Sequence, residues 1–462
     1  LNVLVYISKL MLYQFIFYIY LPISLMNHFY FIQMDIKKLY EIFTKFPNVV
    51  TDSREVKKGS IFFGLRGENF NGNKFSEEAI QKGAEYAVID QEEYSVPGRT
   101  ILVENVLKSL QDLASMHRKK IGIPVLAITG TNGKTTTKEL IAAVLTEKFN
   151  ILYTTGNFNN HIGVPLTLLK MTGQHHMGVI EMGANHPGEI SDLCSVADPD
   201  YGIITNIGFA HLEGFGSFEA VKNTKAELYN YIKKKNGIIF YNNDNAILRE
   251  LVQDYEKKIS YGKAEAWLTG IPVPSSPFIR AAVSFPDRTI EIETKLAGNY
   301  NFENLMAAAC IGHFFNINPP VIAEAISNYT PNNNRSQLII KKGLKILMDA
   351  YNANPTSMNA AIESFAAESG NCKSLILGDM LELGSYSYTE HEKILKKIEQ
   401  FPFEQVFLIG PVFSKAAQNF SYKTFMTVEK FCAWLTDNPI KNCSVLIKGS
   451  RGIHLEKVLD AI

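Results

Sequence analysis

The segment Val125-Leu126-Ala127-Ile128-Thr129-Gly130-Thr131-Asn132-Gly133-Lys134-Thr135-Thr136 constrains this chain more than any other. An apolar run reads as a strand and the two glycines as a tight turn. Leu140, Ile141, Val144 and Leu145 then mark the core face of a following helix. Strand, glycine turn and helix N-terminus together make a phosphate cradle, because backbone N–H groups and the helix dipole both favour an anion. In that frame Gly130, Thr131, Asn132, Gly133 and Thr136 wrap the phosphates. Lys134 reaches the terminal ones, and the Thr135 hydroxyl ligates Mg²⁺. The longer P-loop pattern has a glycine five residues before Gly133, where Ile128 stands, so this is a shortened GxxGKT form.

Around the cradle, strand-like runs alternate with helix-length intervals. They recur at 125–129, 151–155, 178–181, 202–205 and 237–241, which implies parallel strands with crossover helices. A smaller β-rich patch is expected at 282–285 and 289–294. A further set at 345–349, 374–378, 406–409 and 444–448 resembles a doubly wound sheet. Functional groups are expected at its carboxyl ends, where Asp349, Asp379 and Lys448 stand. Before the cradle, 61–65 and 86–90 read as strands and 77–82 as a helix. The fold class is therefore α/β in three domains. These are a small N-terminal α/β domain (34–121), a central P-loop-type parallel-sheet ATPase domain (122–330) and a C-terminal Rossmann-like doubly wound domain (331–462).

Residues 1–33 differ from the rest. They are dense in Leu, Ile, Phe and Tyr, with Lys9 as their charge, and the stretch 10–26 just reaches the length of a membrane span. The first expectation is a non-native extension with translation starting at Met34, where an amphipathic pattern of Ile36, Leu39, Tyr40 and Phe43 begins. A membrane anchor and a signal segment are the alternatives. Lys+Arg and Asp+Glu both number 46, so the formal net charge is zero, which argues against a nucleic-acid binder. Five scattered cysteines without a CxxC pair indicate neither a disulfide framework nor a zinc site, and a reducing compartment is expected.

A metal beside the cradle needs further ligands. Glu181 ends the run 178–181, and His211 lies just beyond 202–205. Two neighbouring parallel strands carrying a carboxylate and an imidazole toward the loop suit Mg²⁺ or Mn²⁺. Alone, His211 reads as structural and Lys225 as a solvated helix lysine. Beside the loop and Glu181, His211 becomes a ligand.

These segments resemble the Mur ligase family of ATP-dependent amide ligases, from about Met34 to the C-terminus. The resemblance makes 130–135 the ATP loop, places metal ligands at Glu181 and His211, and makes Lys225 the lysine often carbamylated in the family. Within Gly298-Asn299-Tyr300-Asn301-Phe302-Glu303-Asn304 it sets Asn301 and Asn304 near adenine, with Tyr300 as a departure from the usual histidine. Arg335 falls at a nucleotide-contacting arginine, and Asp349 is expected at the ATP ribose. Three runs point to the ligase that acts last in the series: 157–165 (with Asn159 and Asn160), Asp349-Ala350-Tyr351-Asn352-Ala353-Asn354-Pro355, and Leu377-Gly378-Asp379-Met380-Leu381-Glu382-Leu383-Gly384.

That implies ATP-dependent joining of D-alanyl-D-alanine to UDP-N-acetylmuramoyl-tripeptide through an acyl phosphate. Asn352, Asn354, Lys448 and Ser450 would hold substrate, and Ser53 and Arg54 would lie at the uridine end. In a blander reading, residues 52–54 form only a polar turn. The expected partners are these small molecules, with neither nucleic acid nor membrane, for a cytoplasmic monomer using ATP and Mg²⁺. A folate polyglutamate ligase shares the loop and the chemistry, and the runs at 157–165 and 349–355 argue against it.

Overall fold

The computed structural model describes residues 35–332, 334–370 and 372–462. The hydrophobic stretch 1–33 lies outside them. The chain divides into two compact units, one ending at Met116 and one beginning at His117.

In the first unit, helix Ile36–Lys45 is capped by Asp35, whose side chain accepts from the Lys37 N–H, and it buries Leu39 and Phe43. Four parallel strands form a sheet in the order Asn48–Val50, Ser60–Phe63, Ala84–Ile89, Thr100–Leu102. The first and last of these carry no strong apolar alternation, and the sequence reading did not include them.

The second unit holds two sheets. The larger has nine strands. Val125–Thr129 is buried along its whole length, between Met177–Glu181 on one side and Tyr201–Ile204 on the other. Ile151–Tyr153 flanks the former, while Ile238–Asn242, Lys258–Gly262 and Leu268–Val273 continue beyond the latter, all parallel. The expected β patch is present. Phe278–Ser284 and Thr289–Ala297 join this same sheet as its antiparallel edge.

Helix Lys134–Thr146 packs on helix Phe302–Phe314 through Leu140, Ile141, Val144 and Leu145 against Leu305, Met306, Ala308 and Ala309. Small residues let the two helices approach closely, and a Cβ at Gly312 would stand 2.4 Å from Val144 Cγ1.

The second sheet has six strands in the order Gln337–Lys341, Leu344–Asp349, Ser444–Lys448, Lys373–Gly378, Gln405–Ile409, Lys423–Phe425. The first pair is an antiparallel hairpin turning through Lys342 and Gly343, both at positive φ, and the remainder is parallel. Adjacent strands bring Asp349 opposite Lys448. On its other side, the pairing of Ser444–Lys448 with Lys373–Gly378 brings Cys372 and Cys443 side by side, with a Cα–Cα distance of 4.7 Å. Among the described residues, no helix is long and apolar enough to cross a membrane.

Candidate active site

The cradle is built by glycine geometry. Gly130 has φ +143°, and a Cβ there would lie 2.0 Å from Thr205 Oγ1. Gly133 has φ +78°, and its Cβ would meet Asn304 Oδ1 at 2.5 Å. Side chains of a larger residue therefore fit at neither position. The turn is tied to the segment after the neighbouring strand. Thr131 N–H donates to the Asn206 carbonyl (2.9 Å), and Asn132 N–H donates to Asn206 Oδ1 (2.9 Å). Thr205 Oγ1 donates to the Asn132 carbonyl at 2.6 Å. Thr205 and Asn206 were not singled out from sequence, since one threonine and one asparagine after a strand carry no motif.

Lys134 Nζ donates to the carbonyls of Gly130 (2.7 Å) and Thr131 (3.0 Å). Burial pushes this ammonium down to about 8, with the Glu181 carboxylate opposing the shift and Arg335 adding to it. Glu181 is buried at the strand end. Its Oε1 accepts from Thr135 Oγ1 (3.2 Å) and Asn159 Nδ2 (2.8 Å), while its Oε2 is buried with no hydrogen-bond partner. A buried carboxylate oxygen without a donor is costly, and a cation is the group that relieves it. One carboxylate, one hydroxyl and the phosphates of a nucleotide suit Mg²⁺, which binds few protein ligands. The residues present therefore fit the ion. Among the described residues, no three His, Cys, Asp or Glu side chains converge as a self-sufficient metal cage.

His211 sits at φ +50° ahead of the short helix Leu212–Phe215. Its Nδ1 lies 2.5 Å from Glu382 Oε2. Glu382 belongs to the six-stranded sheet's loops, and sequence reasoning gave no sign of this pairing. Lys225 is buried on helix Phe218–Lys235 and donates to the Ala184 carbonyl at 3.3 Å. Burial, and then repulsion from Lys134, push it to about 7, against Glu189 and Glu227. Desolvation thus favours the neutral amine at Lys225 over a solvated cation. His211 and Lys225 share a neighbour. The Phe215 ring stands 6.4 Å from the imidazole centroid and 5.6 Å from Lys225 Nζ.

Asn301 and Asn304 are buried and fully engaged with protein. Asn304 Nδ2 donates to Asn301 Oδ1 (2.8 Å), Thr137 Oγ1 donates to Asn304 Oδ1 (2.9 Å), and Asn301 Nδ2 donates to Ala297 O and Ser336 Oγ. Arg335 Cζ stacks 3.6 Å from the Tyr351 ring centroid, and its buried Nε has no partner.

In the six-stranded sheet, Lys448 Nζ lies 2.5 Å from Asp349 Oδ2, while Asp349 Oδ1 accepts from the Ser336 N–H. Asn352 Oδ1 accepts from the Ala353 N–H. Asn354 caps helix Pro355–Ala367, its side chain accepting from the Ser357 N–H, and donates from Nδ2 to Asn132 Oδ1 of the cradle at 2.7 Å. Phe209 N–H donates to Thr356 Oγ1, a second bond between these two parts of the unit.

Ser450 Oγ donates to the Ala353 carbonyl (3.3 Å) and accepts from the Leu381 N–H (2.9 Å). Asp379, expected at a functional strand end, instead accepts from the N–H groups of Val412 and Phe413 at the start of helix Pro411–Ala416, beside His391. Asn160 Oδ1 accepts from Ile162 and Gly163.

In the first unit, Arg54 pairs with Asp52 on an exposed turn. Hydrogen bonds from Arg54 hold the Asp52 carboxyl down at about 2, and Ser53 Oγ lies 3.5 Å from Glu78 Oε1. Neither Ser53 nor Arg54 lines the cleft of about 720 Å³ in that unit, which Arg66, Asn71, Lys74, Asp90 and Asn105 help to form.

Residues 45–128 match the Mur ligase family catalytic domain, residues 128–312 the Mur ligase middle domain, and residues 334–451 the Mur ligase glutamate ligase domain. The UDP-N-acetylmuramoyl-tripeptide–D-alanyl-D-alanine ligase of Bacillus subtilis (strain 168) is 35% identical over 428 residues, covering 90% of this chain and 93% of that protein. Crystal structure I of MurF from Acinetobacter baumannii is similar at a TM-score of 0.82 and 27% identity, over 89% of this chain and 92% of that one. The MurF ligase from Thermotoga maritima in complex with ADP gives 0.79 and 28%, over 90% and 96%.

Proposed function

The chain belongs to the Mur ligase family, and from that premise we propose how its residues share the work. It is an ATP-dependent ligase that joins D-alanyl-D-alanine to UDP-N-acetylmuramoyl-tripeptide in peptidoglycan precursor synthesis, releasing ADP and phosphate. One observation carries the site assignment. The cradle lysine, Lys134, and the half-satisfied carboxylate of Glu181 act on the same small volume.

The tripeptide carboxylate is a poor electrophile. Its oxygen attacks the γ-phosphorus of ATP, forming an acyl phosphate and expelling ADP. The dipeptide amine then attacks the carbonyl carbon, giving a tetrahedral intermediate that collapses to the amide with loss of phosphate. Positioning and charge neutralisation supply most of the acceleration.

Gly130, Thr131, Asn132, Gly133 and Thr136 hold the phosphates. Lys134 neutralises charge between ATP and the incoming carboxylate, and Arg335 and Asp349 serve the nucleotide. Asn301 and Asn304 brace the adenine side from beneath, their polar atoms already engaged with Thr137 and Ser336. Thr135 and Glu181 would hold Mg²⁺, which supplies charge neutralisation at the phosphates. His211 and Lys225, with Lys225 as a candidate for carbamylation, would serve a second ion.

Asn159 orients Glu181. Asn160, Asn352, Lys448 and Ser450 shape the dipeptide side, and Asn354 links that side to the cradle. Ser53 and Arg54 serve the uridine end. We divide the chain at 34–121, 122–330 and 331–462, a division supported by no sheet crossing a boundary between the parts. We place the enzyme in the cytoplasm, where ATP is abundant, as a monomer.

The test is ADP release with D-alanyl-D-alanine and each of two tripeptide precursors, one carrying lysine and one diaminopimelate at the third residue. The expected result is release dependent on both substrates in the wild type and its abolition by Lys134→Ala with an unchanged circular dichroism spectrum. Wild-type turnover in that variant would remove the loop from the mechanism.

A further inference from the structure

Tyr351 carries two guanidiniums. Its ring centroid lies 3.6 Å from Arg335 Cζ and 5.4 Å from Arg451 Cζ, both within the range of a cation–π contact. Among the described residues, no carboxylate pairs with either arginine. Arg335 Nε is moreover buried without a hydrogen-bond partner. Two like charges on one aromatic ring, with no carboxylate paired to either, make a locally positive site that favours an incoming anion.

The ligase reaction brings several anions to the site: the phosphates of ATP, the tripeptide carboxylate that is activated, and the C-terminal carboxylate of the dipeptide. Ser336, next to Arg335 in the chain, accepts from Asn301 Nδ2, and Asn301 bonds Asn304, which stands against Gly133, so Arg335 lies on the cradle side. Arg451 stands on a different element, and of these anions the dipeptide carboxylate is the one that takes no part in the chemistry and needs only to be held.

The surroundings of Arg451 agree with that division. It opens the turn Arg451–Ile453 just past the carboxyl end of strand Ser444–Lys448, and it is exposed. Its backbone is fixed by its neighbour. The Ser450 N–H donates to the Asp379 carbonyl at 3.1 Å, and the Ser450 hydroxyl joins Ala353 to Leu381. Leu381 is 42% exposed and borders the same turn, as a Cβ on Gly452 would lie 2.9 Å from its Cδ1. An exposed planar fork of donors next to an exposed aliphatic side chain matches a short apolar peptide ending in a carboxylate. The amine of that peptide must stay free to attack, so recognition falls on its far end.

We propose that Arg451, steadied by the Tyr351 ring, binds the C-terminal carboxylate of D-alanyl-D-alanine, with Leu381 against its methyl groups. Arg451 is then a specificity-determining residue for the second substrate and Tyr351 a positioning residue. The proposal rests on the ligase reading above and deepens it.

The experiment compares D-alanyl-D-alanine with its C-terminal amide, which is isosteric and uncharged at that end, by ADP release with the full chain. The wild type is expected to prefer the carboxylate form. In Arg451→Ala, KM for the dipeptide rises roughly 10- to 100-fold, the scale of one charge-assisted hydrogen bond, and the preference over the amide collapses. KM for ATP and for the nucleotide substrate changes by no more than about twofold, the usual reach of a surface substitution. Arg451→Lys, which keeps the charge and loses the fork, lies between. Tyr351→Leu reproduces the loss of discrimination, and Tyr351→Phe, which keeps the ring, restores it.

An Arg451→Ala variant that still prefers the carboxylate over the amide overturns the proposal, as does an effect confined to KM for ATP. Absence of dipeptide-dependent ADP release from the wild type is a different result. It overturns the ligase reading itself, and this inference with it.

Discussion

Asn354 joins two parts of the second unit, and replacing it separates two effects that share one side chain. Its Oδ1 accepts from the Ser357 N–H at 2.9 Å and caps helix Pro355–Ala367. Its Nδ2 donates to Asn132 Oδ1 at 2.7 Å, and the return contact, at 3.5 Å, is too long to add much. Asn354→Ala removes both. Loss of an N-cap costs about 1 kcal/mol. Loss of one neutral, partly buried hydrogen bond costs about 1 kcal/mol more.

Asn354→Ser keeps a competent cap and is too short to reach Asn132, so it isolates the second contribution. The expected ordering of melting temperatures is wild type, then Ser, then Ala, with steps of on the order of 2–4 °C each. Because the bridge ends on the phosphate turn, both variants are expected to raise KM for ATP about fivefold, the equivalent of about 1 kcal/mol. Scanning calorimetry and ADP-release kinetics read the two effects separately. An Asn354→Ser enzyme with wild-type KM for ATP, or a double-mutant cycle with Asn132→Ala showing no coupling, would refute the idea that this amide positions the turn.

Glu181→Gln leaves an oxygen to accept from Thr135 and Asn159 and removes the charge. Turnover should fall by roughly 100- to 1,000-fold, the usual scale for losing a preorganised electrostatic group. The melting temperature should hold or rise, because a buried unpaired anion is gone, and a fall of several degrees would contradict this account. Removing divalent ions with a chelator should abolish ADP release in the wild type, with recovery on adding Mg²⁺ back. Activity that survives chelation argues against the Thr135–Glu181 assignment.

Gly312→Ala should cost about 1–3 kcal/mol by overpacking against Val144, and Val144→Ala should recover part of that loss in the double variant. Additive destabilisation, seen by chemical denaturation, would show that the two helices do not meet there.

Burial holds the His117 imidazole below its usual range, against the Met171 carbonyl. Its contribution to stability is complete above about 6.5 and is lost as pH falls through the lower folded value, since the unfolded chain protonates first. Glu368, raised to about 7 by burial, acts in the opposite direction. His117→Gln should therefore make stability fall less between pH 7.5 and 5.5 than it does in the wild type, and an unchanged slope would contradict the shift.

The cradle was legible because a strand, two glycines and Lys-Thr occur in the one order that makes chemical sense. Both glycines proved to stand where a Cβ would collide with Thr205 or Asn304. The strands at 125–129 and 444–448 were legible as short apolar runs, Val-Leu-Ala-Ile and Val-Leu-Ile. Lys258–Gly262, Leu268–Val273 and Gln337–Lys341 were not, because lysines, glycines and a proline interrupt their pattern.

Contacts between distant segments were the least readable part. Nothing in the sequence announces that Glu382 meets His211, or that Asn354 reaches Asn132. Asp379 looked functional by its place at a strand end. The structure shows that the same place also suits a cap for the helix starting at Pro411. A strand end is an opportunity for chemistry, and local backbone donors compete for it.

The late strand Ser444–Lys448 lies in the interior of the six-stranded sheet, between Leu344–Asp349 and Lys373–Gly378. During synthesis those two strands must wait, each with a bare edge facing the other, until the ribosome has delivered the segment that fits between them. A frameshift or premature stop shortly before residue 444 would thus leave a gap through the middle of the domain rather than trim its rim. Such products should be recognised and degraded even though most of the polypeptide has been made.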